Sequence, residues 1–219
     1  MIVAMLFSEL EGSTLEELID AFRGPPLDGE QYRVSFYDDV ADAIARLGGI
    51  DFLEDELDQD DEDRTAAAMA ALAFCEDPAV DRRALTIRLR RLLDHPNPHV
   101  VDTAIDSLWK LGDRTVHDRV LELLDHGPTG LVRASALTYL RVLFPDSALP
   151  LLLDALADPD ATVRFAAVDE LDELQFTDRA TFERMLDDSD EDVRGHARYI
   201  LDNHFVEPVA MTPGRSPRK

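Results

Sequence analysis

An alanine stands four residues before a leucine at five places in this chain, and these places recur at a nearly constant interval. The pairs are Ala68/Leu72, Ala104/Leu108, Ala136/Leu140, Ala167/Leu171 and Ala197/Leu201. Successive alanines are 36, 32, 31 and 30 residues apart. Such a period is typical of solenoids built from stacked helix pairs, because each unit buries its apolar face only against its neighbours. The spacing therefore predicts an all-α fold, an α-solenoid.

Turns rich in Asp, Pro and Gly divide the chain into helical segments, without the two-residue alternation of apolar and polar residues that marks a strand. Two capping boxes, Ser13 with Glu16 and Ser35 with Asp38, predict helices over 14–22 and 35–47. The later predicted helices cover 52–57, 77–93, 97–112, 115–125, 130–143, 147–157, 161–175, 178–186 and 190–204. The start at residue 77 depends on an aspartate N-cap followed by proline.

The two ends of the chain do not follow the repeat. Terminal units of a solenoid are atypical because one face meets solvent, so residues 1–50 are predicted to form a helical cap. Residues 51–205 are predicted to form a solenoid of about five helix pairs. The last segment, 206–219, combines prolines with basic residues and is predicted to be a disordered tail.

The net charge of −24 is extreme for 219 residues, and it argues against nucleic acid and for a basic partner. Asp outnumbers Glu by 31 to 15 and Arg outnumbers Lys by 20 to 2, a bias that resembles proteins adapted to concentrated salt. Salt adaptation and a basic partner both remain open as explanations. No apolar run approaches the roughly 20 residues that cross a bilayer, and no basic leader opens the chain. We therefore expect a soluble, cytoplasmic protein without membrane contact.

The second helix of each unit carries the string V-x-x-x-A-x-x-x-L, whose residues share one helix face. It is seen at Val100–Leu108, Val132–Leu140 and Val163–Leu171, and its first part at Val193–Ala197. With the turn before it, this string resembles HEAT repeats, specifically the short bacterial and archaeal kind related to PBS-lyase HEAT-like repeats. The resemblance covers roughly residues 50–205.

The resemblance implies a ladder of hydrogen bonds between neighbouring units, from an Asp in the turn and an Arg six residues later. The matching residues are Asp158, Arg164, Asp188 and Arg194. Arg133 has Gly127 in place of the aspartate, and Val101 stands where the arginine would be, so the ladder is expected to be broken in the central units. These residues are predicted to be structural.

Enzymes of the wider superfamily offer further comparisons. Deoxyhypusine hydroxylases hold two irons with paired His-Glu dipeptides, and this chain has no such dipeptide. HEAT-like DNA glycosylases need a basic groove, which the charge opposes. Phycobilin lyases of the HEAT-like type leave no short motif to test, so that class stays open. No catalytic residue and no cofactor are predicted.

Histidines and acidic residues were considered as metal ligands. His95 and His126 occupy matching turns, with His99 four residues after the first, but matching turns of stacked units lie about 10 Å apart, too far for shared ligation. All three are expected to be solvated turn residues. The acidic run over 54–63 lacks the glycine and the final glutamate of a calcium loop. No metal site is predicted, and the single Cys75 allows no intrachain disulfide.

The face of the second helices opposite the Val-Ala-Leu stripe combines aromatic and acidic residues, as a surface for a basic, partly apolar partner would. The predicted binding residues are Asp102, Asp106, Trp109, Arg141, Phe165, Asp169, Asp172, Tyr199 and Asp202. In solenoids of the family that this chain resembles, the second helices line the concave side. The sequence thus favours a non-enzymatic adaptor that binds a basic protein, with an inhibitor or immunity protein as its sharper form. The alternative is a HEAT-like lyase or chromophore-handling subunit, which requires a pocket of convergent polar groups. The oligomeric state stays open.

Overall fold

A computed structural model describes residues 12–24 and 33–205, with the side chains of the second range from residue 36 onward. Twelve helices and no strand occur in these described residues. They are α1 (Leu15–Arg23), α2 (Arg33–Arg46), α3 (Ile50–Glu56), α4 (Glu62–Phe74), α5 (Arg82–Leu92), α6 (Pro98–Lys110), α7 (His117–His126), α8 (Gly130–Leu143), α9 (Pro145–Ala155), α10 (Ala161–Glu173), α11 (Arg179–Met185) and α12 (Glu191–His204). The predicted tail over 206–219 lies outside the described residues, as do the first 11 residues of the predicted cap.

The even-numbered helices pack in succession, α2 on α4, α4 on α6, and so on to α12, and we call them the second-helix row. The odd-numbered helices pack beside them: α1 on α2, α5 on α6, α7 on α8 and α11 on α12, with α3 and α9 each contacting two second helices. This arrangement confirms the predicted all-α solenoid. The row also includes α2, which belongs to the segment predicted as a cap.

The repeated alanines bring the second helices together. Ala68, Ala104, Ala136, Ala167 and Ala197 are all completely buried. A methyl group at the contact lets the axes of neighbouring helices approach closely, whereas a larger side chain would hold them apart. The leucine four residues later lies on the same helix face and fills the space beside each contact. The stripe read from the sequence is therefore the seam that joins successive units.

The first two helices begin at other residues than their predicted capping boxes. In α1 the box is one residue later than the predicted Ser13 box: the Thr14 hydroxyl accepts from the Glu17 amide at 3.3 Å, and the Glu17 carboxylate accepts from the Thr14 amide at 2.8 Å. Helix α2 begins at Arg33, so Ser35 lies inside the helix and does not cap it. Both predictions placed the right helices with the wrong caps.

Helix α5 begins later than the predicted start at residue 77. The Asp77 carboxylate accepts from the Ala79 amide at 2.8 Å, which closes a turn and does not start a helix. The Asp81 carboxylate accepts from the amides of Arg83 and Ala84 and is the N-cap. By sequence, either Asp77 or Asp81 could serve as the N-cap. The helix begins after Asp81, whose carboxylate accepts from two amides of the first turn, whereas that of Asp77 accepts from one.

Arginines of the second helices tie successive turns together. Arg164, which is 9% exposed, donates two hydrogen bonds to the Asp188 carboxylate, at 2.7 and 2.8 Å. The same guanidinium donates to the backbone oxygen of Asp158 in its own turn at 2.9 Å. Arg194 likewise donates to the backbone oxygen of Asp188 at 2.8 Å. We call this set the turn ladder; each guanidinium bonds to a carbonyl six residues before it, and that of Arg164 reaches the aspartate of the next unit.

The expectation that the ladder is broken at Arg133 is wrong. Arg133 donates to the Asp158 carboxylate of the next unit at 3.0 and 3.3 Å and to the backbone oxygen of Gly127 at 3.2 Å. The arginine uses only a carbonyl from its own turn, so Gly127 serves as well as an aspartate. A Cβ atom there would lie 2.4 Å from the backbone oxygen of Leu123, which explains the glycine. Only the buried Val101 of α6 lacks a donor at this position.

Candidate functional site

The second-helix row contains a cavity of about 370 Å³ between α2, α4, α6 and α8, which we call the cleft. Its lining includes Asp38, Phe74, His99, Asp106, Ser107 and Trp109. These side chains come from three consecutive second helices, and Ser135 and Thr138 of α8 complete the wall. Polar and aromatic side chains share this lining.

Asp106 is the central acid of the cleft. Its Oδ1 accepts a hydrogen bond from the indole nitrogen of Trp109 at 3.3 Å. Burial raises the pKa of Asp106 to about 6, with a further contribution from the negative charge of Asp102 one helical turn earlier. Hydrogen bonds from Trp109 and Ser135 oppose the rise but do not cancel it. The group is therefore an anion held in surroundings that disfavour its charge.

His99 and Asp102 form a second polar pair at one end of the cleft, with 3.5 Å between Nδ1 and Oδ1. Asp102, predicted as an exposed binding residue, is 7% exposed and lies beneath the surface. His99 is not the solvated turn residue that was expected, because it lies partly buried in the first turn of α6. Its hydrogen bond to Asp102 raises the pKa of the imidazole against the opposing effect of burial.

Asp38 brings a third carboxylate from α2. Much of the residue is exposed, yet desolvation of its carboxylate beside the cleft is the largest effect and raises its pKa. The charges of Asp39, Asp42 and Asp102 act in the same direction, and His99 acts against them. Negative charge is thus concentrated at this end of the second-helix row.

Aromatic rings form the other side of the cleft. Phe74 and Trp109 meet edge to face, with ring centroids 6.0 Å apart and an interplanar angle of 87°. The ammonium nitrogen of Lys110 lies 4.8 Å from the centroid of the Phe74 ring. Phe74 is 44% exposed, so part of this wall faces solvent. Aromatic surface of this kind, beside the part that Lys110 occupies, can contact a cationic ligand.

Polar residues at a core position of the repeat were missed by the sequence analysis. The position three residues after the repeat alanine holds Ser107, Tyr139, Glu170 and Ile200, and all four are buried. Glu170 of α10 accepts from the Thr138 hydroxyl at 2.5 Å and also pairs with Arg141. Arg141, predicted to face a partner, is therefore bound to an acid of the next unit. The sequence does signal these residues, because Ser107 and Glu170 occupy a position that is apolar or aromatic in other units.

A second surface, which we call the aromatic groove, lies between α10 and α12 and encloses about 760 Å³. The rings of Phe165 and His196 stack at 4.7 Å, and those of His196 and Tyr199 lie nearly parallel at 6.3 Å. Phe165 is 37% exposed and Tyr199 is 58% exposed. Acidic residues at the start of α12 edge the groove: the N-cap Asp190 and the first-turn residues Glu191 and Asp192.

The other predicted binding residues of α10 and α12 are not among the residues that line this groove. Asp169 contacts the Nε2 atom of His196 at 2.9 Å, and Asp172 contacts the Nδ1 atom of His204 at 2.5 Å. Asp172 and His204 line a separate cavity, and Asp202 is exposed on α12. The nine predicted residues therefore do not line one site: Asp106 and Trp109 line the cleft, and Phe165 and Tyr199 line the aromatic groove.

In the part of the chain that the structure describes, no group of three or more His, Cys, Asp or Glu side chains is arranged to hold a metal ion. Within the same residues, no helix is both long and apolar enough to cross a membrane.

The comparisons with known proteins agree on a helical repeat. The sequence matches the family described as HEAT repeats over residues 50–141 and the HEAT repeat again over residues 148–176. Among solved structures, Escherichia coli YibA is similar with a TM-score of 0.66 and 19% identity, over 90% of this chain and 73% of that chain. A designed armadillo repeat protein in complex with the peptide (KR)4 is similar with a TM-score of 0.49 and 16% identity, over 87% and 99%. No curated protein matches the sequence.

Proposed function

Because this chain belongs to the HEAT-repeat family, whose stacked units present a continuous row of helices, we propose that it is a non-enzymatic scaffold for a basic protein partner. The partner docks on the second-helix row, where the exposed aromatic and acidic residues lie. The aromatic groove is its principal contact.

The observation that carries this proposal is the exposure of Tyr199 and Phe165 within one groove. Large aromatic side chains at 58% and 37% exposure are not needed for the core, which closes beneath them around Val163, Ala167 and Ala197. Aromatic residues that stay accessible beside charges are a recurring feature of protein interfaces. The stacked rings are held in place by their neighbours, so little side-chain freedom is lost on binding.

Charge supports a basic partner. Asp190, Glu191 and Asp192 edge the groove, and Asp202 is exposed on the same helix as Tyr199. The chain as a whole carries a net charge of −24. Such a field accelerates encounter with a positively charged surface and weakens as salt screens it. Arg198 is also exposed on α12, but these four acidic residues outnumber it, so the local charge stays negative.

Capture from a lysate of the source organism tests the proposal. The chain and its Phe165→Ala/Tyr199→Ala variant are immobilised, and bound proteins are compared by mass spectrometry at about 0.1 M and about 1 M potassium chloride, where the Debye length falls from about 10 to about 3 Å. We expect one basic protein that is bound at low salt, released at high salt and lost by the double variant. Its binding is then measured with the purified protein.

The matched control is Ile87→Ala, which removes a side chain that is 44% exposed on α5, outside the second-helix row. The control should keep the partner. Equal loss in the control, or full retention by the double variant, would contradict the proposal. An inhibitor or immunity role is the sharper form, and it requires in addition that the captured protein loses its own activity when the chain is bound.

A further inference from the structure

We propose that the cleft is a binding pocket for one arginine side chain of the protein partner, with Asp106 as its counter-ion and the Phe74–Trp109 wall as its stacking surface. This inference deepens the proposed function and rests on it. It assigns a subsite separate from the aromatic groove: α8 completes the cleft wall, and the groove begins at the next second helix, α10.

Unbalanced charge favours a cationic ligand. Asp38 and Asp106 line the cleft, and the buried Asp102 lies one helical turn before Asp106. Of the described lining residues, His99 is the basic one, and its charge acts on Asp102 and Asp38. Lys110 contacts the Phe74 ring and is not among the lining residues. Asp106 has no cationic partner among the described lining residues, so a cation entering the cleft would find its carboxylate available.

The cleft wall also contains a buried hydroxyl that has no hydrogen-bond partner among the described residues. Ser107 is completely buried and belongs to the cleft lining, and its Oγ has no partner in the described chain. Buried polar groups are almost always hydrogen-bonded, so such an atom calls for an explanation. A donor group from a ligand would supply the missing bond. This observation is independent of the acidic residues around it.

The shape of a guanidinium suits the cleft better than that of an ammonium. A guanidinium carries five N–H donors in a plane, which suits acceptors placed on several sides, here the Asp106 carboxylate and the Ser107 hydroxyl. Its flat face also stacks on aromatic rings, whereas an ammonium acts as a point charge. Lys110 takes up part of the Phe74 ring, and the Trp109 indole and the exposed part of Phe74 are the ring surfaces that remain for the ligand. A volume of about 370 Å³ admits one such side chain.

The test uses four probes. Three are fluorescently labelled pentapeptides that carry arginine, lysine or citrulline at the central position between glycines, because citrulline has the shape of arginine without its charge. The fourth is free agmatine, which has the guanidinium without a peptide. Peptide binding is followed by anisotropy. Binding of any probe is also followed by the fluorescence of Trp109, the only tryptophan of the chain, which reports the cleft directly.

The arginine peptide is expected to bind with at least tenfold higher affinity than the citrulline and lysine peptides and to change the Trp109 emission. Asp106→Asn should weaken it about 30-fold or more, and Ser107→Ala about fivefold. Asp146→Asn, an exposed acid on α9, makes the same change in net charge and should leave the affinity within about twofold. Thermal unfolding of each variant verifies that it remains folded.

Several results would overturn the inference: no binding of the arginine peptide, binding unaffected by Asp106→Asn, or equal binding of the lysine peptide. Agmatine binding as tightly as the peptide would also overturn it, because the ligand would then be a free guanidine and not a partner side chain. These outcomes leave the scaffold proposal standing, since that proposal is judged by the Phe165→Ala/Tyr199→Ala capture experiment.

Discussion

The same residue type has opposite electrostatic surroundings in two parts of the solenoid, the turn before α12 and the cleft beside α6. In the turn ladder, Asp188 accepts two hydrogen bonds from Arg164, and these bonds hold the pKa of its carboxyl below the usual range. In the cleft, burial and the charge of Asp102 raise the pKa of Asp106 to about 6. The turn aspartate stabilises the fold in its ionised form, whereas the cleft aspartate is destabilised by its own charge.

This contrast shows that the net charge of −24 combines acidic residues with different roles. The turn aspartates of the ladder, Asp158 and Asp188, are matched by arginines of neighbouring units and belong to the scaffold. Acids of the cleft have aromatic rings and hydroxyls around them, so their charge remains available to a ligand. Distinguishing the two sets requires the structure, because both are aspartates at regular intervals in the sequence.

The largest effect is expected from Arg164→Ala. This change removes two bonds to Asp188 and one to the carbonyl of Asp158, and it leaves a carboxylate that is 7% exposed without its cation. Breaking one partner of a buried pair costs about 3–5 kcal/mol. Urea unfolding should show a matching fall in the free energy of unfolding.

The control for Arg164 is Arg46→Ala, which removes an exposed pair with Asp42 on α2, whose side chains are 66% and 56% exposed. We expect a loss below about 0.5 kcal/mol, as for other helix-surface pairs. If both variants lose the same free energy of unfolding, the turn ladder stabilises the fold no more than an exposed ion pair does, and the contrast between the two kinds of aspartate would be contradicted.

Asp106→Asn should act in the opposite direction and stabilise the protein at pH 7–8. Because the pKa of Asp106 is higher in the folded state, its contribution to stability falls as the pH rises from about 4, the pKa of an unfolded Asp, to about 6. Above that range the full penalty applies, about 2–3 kcal/mol for a shift of this size. The asparagine oxygen still accepts from Trp109. The difference between variant and wild type in urea unfolding should therefore shrink at pH 4.

A pH titration of Trp109 emission sharpens this comparison. The indole donates to Asp106, so its emission should change with a midpoint near pH 6 and lose this transition in Asp106→Asn. Asp38, Asp63, Asp102 and Glu170 are the other acids in the field of the cleft. His99, whose pKa is raised, is the basic group there, and His99→Gln separates its titration from that of Asp106. An unchanged transition in Asp106→Asn would show that the Trp109 emission follows the titration of a group other than Asp106.

The sequence predicted the solenoid because its strongest signal, the alanine spacing, is a packing requirement that acts at every unit. The same pattern also located Trp109 and Tyr199 on the outward side of the second helices. It could not place His99 or Phe74 in the cleft, although Asn97 was correctly predicted to start α6, because the cleft forms between neighbouring helices whose relative register the sequence does not give.

The ladder at Arg133 shows a second kind of miss. The sequence motif pairs an aspartate with an arginine six residues later, yet the structure pairs each arginine with a carbonyl in its own turn. A backbone oxygen is present at every residue type, so the sequence offers no sign that Gly127 suffices. Interactions between units are likewise invisible until the register of neighbouring helices is known.

The smallest effect on stability is expected from Tyr199→Ala. Its ring is 58% exposed, and its contacts are the parallel ring of His196 and an edge-on contact with His204. Surface substitutions of this kind change the free energy of unfolding by about 0.5 kcal/mol or less. The same substitution should reduce capture of the partner at least tenfold, because a central aromatic anchor is lost. A large loss of stability with unchanged capture would make the aromatic groove part of the core and would leave the scaffold without its principal contact.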